Sequence, residues 1–144
     1  MGWADHYRRR DALNSVIERG ELAVTDEFTS TDQLLQALHH RWSLRLAGRV
    51  ELASLAENQL EAVGAAWRES AAENVDLRRL LDEHADHPAL REVTLAEQRT
   101  IAAAAGLADP QDGADEQAAA GAAFVALLRG SQRRRFLRRL VPSG

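Results

Sequence analysis

Cysteine is absent from the sequence. With it go disulfides, thiolate nucleophiles and thiolate metal sites, so no redox role is available. Lysine is absent too: all 18 basic residues are arginine, which reads as the codon bias of a GC-rich bacterial genome. Only 3 prolines interrupt 144 residues, and β-branched and aromatic residues are sparse. The N-terminus, MGWADHYRRR, has no apolar run behind its charges, and no stretch approaches the roughly 18 consecutive apolar residues of a membrane helix. Neither a signal peptide nor a membrane span is expected, and the reading is a cytoplasmic protein. No glycine-rich phosphate loop and no strand-to-helix nucleophile elbow is present. An enzyme is therefore not expected, and no cofactor is implied.

What is there is alanine, leucine and arginine at helical spacing. Propensity favours helix almost throughout, and the length matches one domain with a genuine core. The expected fold is an all-α, single-domain bundle of about six or seven helices.

The organising stretch is residues 31–56. Leu34, Leu35, Leu38, Trp42, Leu46, Leu52, Ala53 and Ala56 fall on one side of a helix, with Ala37, Leu44 and Leu55 on a second, so this helix is expected to be covered on both. Ser30 with Gln33 three residues on predicts a capping box at its start. Gly48 and Arg49 make a kink or break near its end as reasonable as a continuous rod.

Before it, residues 3–19 read as a helix capped by Asp5 and ended by Gly20, with Tyr7, Leu13, Val16 and Ile17 as core candidates. The Arg8-Arg9-Arg10 triplet in its middle is read as a solvated face pairing with Asp5 and Asp11, in preference to a phosphate contact. After it come a helix over 59–72 carrying Leu60, Val63, Ala66 and Trp67, and one over 75–84 capped by Asn74 and carrying Leu77, Leu80 and Leu81. Pro88 closes that helix and opens another that runs to about 105. A loop follows over 107–113. Residues 114–129 then form an apolar helix whose small face, Ala118, Gly121, Ala122 and Val125, suits either a close intrachain crossing or a dimer interface. Residues 1–130 are thus the bundle, with helix 3–19 as a candidate addition to it.

Gly130 is expected to end that helix and residues 131–144 to form a separate basic, amphipathic tail. All 22 acidic residues precede residue 129, whereas the last sixteen residues hold six arginines. Arg134, Arg135, Arg138 and Arg139 share one face, which suits nucleic acid, anionic lipid or the acidic body of the protein itself.

One cluster resembles a metal site. On a helix Glu83 and His87 would be four apart and His84 and His87 three apart, with His39 and His40 available to complete the set. The doubled Glu-x-x-His pattern of carboxylate-bridged bundles is missing, so no metal is expected; if any binds, Glu83, His84 and His87 are the candidates.

The stretch Phe28-Thr29-Ser30-Thr31-Asp32-Gln33-Leu34-Leu35-Gln36-Ala37-Leu38, with Trp42 following, resembles the opening of the regulatory domain in TetR-family transcriptional regulators. Asp76-Leu77-Arg78-Arg79-Leu80-Leu81, His87-Pro88-Ala89-Leu90-Arg91 and residues 122–130 are similar to its later helices. The 27 residues before Phe28 lack a helix-turn-helix ending in the family's tyrosine and phenylalanine signature. The resemblance therefore implies the all-helical, ligand-binding and dimerisation half. On that reading the chain is a non-enzymatic regulatory binding module, a homodimer sensing a small apolar ligand. His39, Trp42 and Trp67 are the candidate pocket residues, among the helices over 31–56, 59–72 and 88–105. The alternatives are a nucleic-acid-associated protein using the C-terminal arginines and a histidine-carboxylate metal bundle.

Overall fold

The computed structural model describes the backbone of residues 2–140 and the side chains of residues 2–130. Every regular element among them is helical. In order they are α1 (Trp3–Arg19), α2 (Thr31–Ala53), α3 (Gln59–Glu73), α4 (Val75–Glu83), a 3₁₀ turn (Pro88–Leu90), α5 (Arg91–Ala104) and α6 (Ala114–Leu140). No described helix is long and apolar enough to cross a membrane.

The boundaries follow local chemistry. α1 ends where Gly20 takes a left-handed φ of 70° and donates its N–H to the Val16 and Ile17 carbonyls, a conformation that costs glycine little. Gly2, not Asp5, stands at its N-cap, and Asp5 lies in the first turn. At the start of α2, Ser30 Oγ accepts from Gln33 N–H at 3.1 Å. The Gln33 side chain reaches one residue further back than a simple capping box, accepting from Thr29 N–H at 3.2 Å. Asn58 and Glu61 cap α3, Asn58 Oδ1 accepting from Glu61 N–H at 3.2 Å. α5 closes at Gly106, φ 74°.

Two helices run on through expected stops. Gly48 lies inside α2, and a Cβ there would meet nothing within 4 Å. Gly130 lies inside α6, which continues to Leu140 instead of breaking before the basic segment. Neither glycine is among the positive-φ residues, so each takes ordinary helical geometry and forfeits only propensity.

The chain divides into two compact units, residues 1–48 with 70–94, and residues 49–69 with 95–144. In the first, Leu34, Leu35, Leu38 and Trp42 of α2 are essentially inaccessible, together with Phe28 and the Leu77, Leu80 and Leu81 stripe of α4. Burying each large apolar side chain contributes about 1.5–3 kcal/mol. α1 supplies Leu13 and Val16 and contacts α4, while Tyr7, expected inside, is 46% exposed. The core of the second unit is Val50, Val63, Ala66, Trp67, Ile101, Ala102, Ala105, Ala118, Phe124 and Leu128. Here α5 crosses α6 at closest approach, since a Cβ on Gly121 would stand 1.9 Å from the Gln98 carbonyl oxygen.

The second apolar side of α2 is not covered. Leu44 is 65% exposed and Leu55, in the turn after the helix, 81%; Leu52, assigned to the first side, is 74% exposed. Leu60 of α3 is also exposed.

Candidate functional site

Within the first unit, α1 and α2 flank a cleft of about 780 Å³. Its walls are apolar, formed by Leu13, Phe28, Ala37 and Leu44. Its charged lining has one sign: Arg9 and Arg10 come from α1, Arg41 and Arg45 from α2, with His6 and His40 beside them, and no carboxylate takes part. Asn14 completes the lining.

Helical spacing explains the arrangement. Arg41 and Arg45 are four apart on α2, and His6 and Arg10 four apart on α1, so each pair projects from one face. The like charges of Arg41 and Arg45 at this spacing oppose helix formation, and the local sequence offers no relief: no acidic residue lies between Asp32 and Glu51.

Among the described residues, the hydrogen-bond partners of the α2 arginines are neutral. Arg41 donates through Nη1 to Asn14 Oδ1 and through Nη2 to the Arg10 carbonyl oxygen at 3.4 Å. Arg45 donates to Asn74 Oδ1, and Asn74, itself buried, donates onward to the Ser70 carbonyl at 2.8 Å. Burial, then Arg45, then Arg10 depress the Arg41 pKa from its ordinary value, yet a guanidinium stays charged at any ordinary pH. Its charge is therefore held at a cost.

The α1 arginines are partly occupied. Arg9 lies over the Phe28 ring, 5.1 Å from its centroid, and Arg10 over Tyr7 at 4.8 Å. Arg10 reaches Asp11 at 3.9 Å in an exposed pair, a contact worth little in water. Arg8 pairs with Asp5 and does not line the cleft. The triplet is thus divided: Arg8 and Arg10 make the acidic pairs read from the sequence, while Arg9 and Arg10 also face the cleft. Arg9 borders a second hollow of about 290 Å³ shared with Asp5, Arg8, Asp26 and Glu27.

His39, Trp42 and Trp67 do not line this cleft. His39 is buried, with Nδ1 3.2 Å from Ser43 Oγ. Trp42 is fully buried in the first unit with the Arg78 guanidinium 4.6 Å from its ring centroid, and Arg78 also pairs with Asp82 at 3.0 Å. Trp67 is buried in the second unit, with Arg129 5.0 Å from its ring.

The metal candidates do not converge. α4 stops at Glu83, and residues 84–86 form a turn, so the helical spacing that would align Glu83, His84 and His87 is lost. His84 Nδ1 lies 2.8 Å from the Leu80 carbonyl, and His87 Nδ1 accepts from Ala89 N–H at 3.1 Å to cap the following turn. His87 Nε2 lies 3.7 Å from Asp32. No cluster of three potential metal ligands is present among the described residues.

Of the small face on α6, Ala118 and Gly121 are buried within the second unit, Gly121 against Gln98, while Ala122 and Val125 are half-buried. Arg134, Arg135, Arg138 and Arg139 lie outside the residues whose side chains are described.

The cleft was not singled out from sequence. Its available signal was the run between Asp32 and Glu51, which holds Arg41, Arg45 and Arg49 with two histidines and no acid. Comparison with protein-family models, curated proteins and solved structures found no match to this chain.

Proposed function

We propose that the chain is a non-enzymatic regulatory binding module, a dimeric small-molecule-sensing domain of the TetR regulatory type, with its ligand site in the cleft between α1 and α2. The observation that carries the reading is that cleft. It is concave, walled by Leu13, Phe28, Ala37 and Leu44, and its volume of about 780 Å³ falls within the usual range of small-molecule sites. An apolar wall with a few convergent polar groups is what a ligand site between helices presents. The all-helical architecture is what such a sensing domain requires. The half-buried Ala122 and Val125 on α6 offer a face to a second subunit.

Native mass spectrometry of the untagged protein tests both parts. A dimer that retains a small molecule, and loses it on Leu44→Glu substitution in the cleft wall, is the expected result. A bare monomer that binds nothing when challenged with small amphiphiles would overturn it.

A further inference from the structure

The composition of the cleft lining points to a definite ligand chemistry. Four guanidinium groups and two imidazoles line the cleft, and no carboxylate does. In a chain whose formal net charge is −4, a concave surface of unmixed positive charge runs against the composition. Among the described residues, Arg41 and Arg45 direct their hydrogen bonds at amide and carbonyl oxygens and not at a carboxylate.

We infer that the cleft binds an organic anion, a phosphate or carboxylate head on an apolar body. The head lies between Arg41 and Arg45 of α2 and Arg9 and Arg10 of α1; the body lies along Phe28 and Leu44. This specifies the ligand of the binding-module reading and rests on it.

Three physical arguments support the assignment. Arginine presents paired N–H donors that match the oxygens of phosphate and carboxylate, and such charge-assisted bonds are about twice as strong as neutral ones. An anion would also offset the burial of the Arg41 charge and its repulsion by Arg45 and Arg10, which together depress its pKa. A bare inorganic ion would meet the arginines but leave Leu13, Phe28, Ala37 and Leu44 facing water. The apolar walls need a partner of their own. A nucleic-acid backbone, by contrast, suits a long basic stripe, whereas these charges converge on one walled hollow.

The test compares binding of decyl phosphate and decyltrimethylammonium, which share a tail and oppose in charge, below their micellar concentrations by isothermal titration calorimetry. Inorganic phosphate and a short single-stranded RNA serve as head-only and polymer probes. Decyl phosphate should bind at least about tenfold more tightly than either the cation or inorganic phosphate. Leu44→Glu, which adds a carboxylate to the wall at an exposed position, should weaken it by about tenfold or more with the melting temperature preserved. Leu52→Glu makes the same charge change on exposed α2 surface outside the cleft lining and should leave binding intact. Equal binding of the two amphiphiles would overturn the anion assignment while leaving a binding module in place. Inorganic phosphate binding as tightly as decyl phosphate would remove the apolar body from it. RNA binding more tightly, with the same loss in Leu44→Glu, would replace it with a nucleic-acid site. Failure of every probe to bind would overturn the module reading as well.

Discussion

Gly121 of α6 faces the backbone of Gln98 in α5 so closely that an added Cβ would stand 1.9 Å from the carbonyl oxygen and 2.7 Å from the carbonyl carbon. The obstacle is main chain, which no rotamer change can move aside. Gly121→Ala should therefore force the two helices apart and cost about 3 kcal/mol or more, although alanine is the better helix former by about 1 kcal/mol. Gly48→Ala is the matched control, because a Cβ there meets nothing within 4 Å; it should stabilise by about 0.5–1 kcal/mol. Urea denaturation of both variants checks the pair. Equal, small effects would show that the crossing is looser than described.

Ser30→Ala removes the acceptor for the Gln33 N–H at the start of α2 and should cost about 1 kcal/mol. Gln33→Ala should cost a smaller amount of the same kind, since it removes the return bond to Thr29 N–H. Thermal unfolding followed by far-ultraviolet circular dichroism would measure both. No change on Ser30→Ala would show that solvent replaces the cap without loss.

Arg41 and Arg78 lie on helices of the same unit but should answer differently to glutamine. Arg78 covers the Trp42 ring and pairs with Asp82, so Arg78→Gln should cost about 1–2 kcal/mol. Arg41 is surrounded by like charge, and its pKa is depressed by burial, Arg45 and Arg10. A base with a lowered folded pKa opposes folding in its charged form, and stability returns only as pH rises through that folded value. Over the neutral range the penalty is constant. Arg41→Gln should then change stability by no more than about 0.5 kcal/mol, keeping a donor for Asn14, and without altering the pH profile between about 6 and 8. A loss as large as that of Arg78→Gln would mean that its bonds to Asn14 and Arg10 outweigh the repulsion.

Asn74 is buried and joins Arg45 to the Ser70 carbonyl. Asn74→Ala removes the side-chain donor to the carbonyl of buried Ser70 and should cost about 1–3 kcal/mol. Asn74→Asp keeps the acceptor for Arg45 and adds a charge that neutralises it. That variant should bind decyl phosphate several-fold more weakly than wild type, a loss that Asn74→Ala should not reproduce. Calorimetric titration of the two refolded variants distinguishes them.

Helix positions were legible in the sequence wherever a backbone rule acts locally. Gly20, Ser30 and Pro88 mark ends because left-handed geometry, a side-chain acceptor or a missing N–H decides there, within a few residues. Periodicity likewise found Leu77, Leu80 and Leu81, and most of the α2 face. It failed at Leu44 and Leu52, because spacing reports which residues share a face and not whether any element covers it, and at Leu55 because α2 ends at Ala53. Asn74 stands at the N-cap of α4 as read, but its side chain makes no capping bond and accepts from Arg45, 29 residues away. The cleft was hidden for the same reason: Arg9 and Arg10 meet Arg41 and Arg45 only after α1 folds beside α2, and the arginine triplet by itself resembles any solvated face. The histidine cluster erred oppositely, its apparent alignment depending on a helix that stops at Glu83.

Two of the three tryptophans are buried, Trp42 in one compact unit and Trp67 in the other, each beneath an arginine, whereas Trp3 is 77% exposed. The protein thus carries one native fluorophore inside each unit and a third in water. With Trp3 replaced by phenylalanine, and then Trp42 or Trp67 in turn, emission would follow the melting of each half separately. Coincident curves would establish a single cooperative transition, and staggered ones would identify which half gives way first.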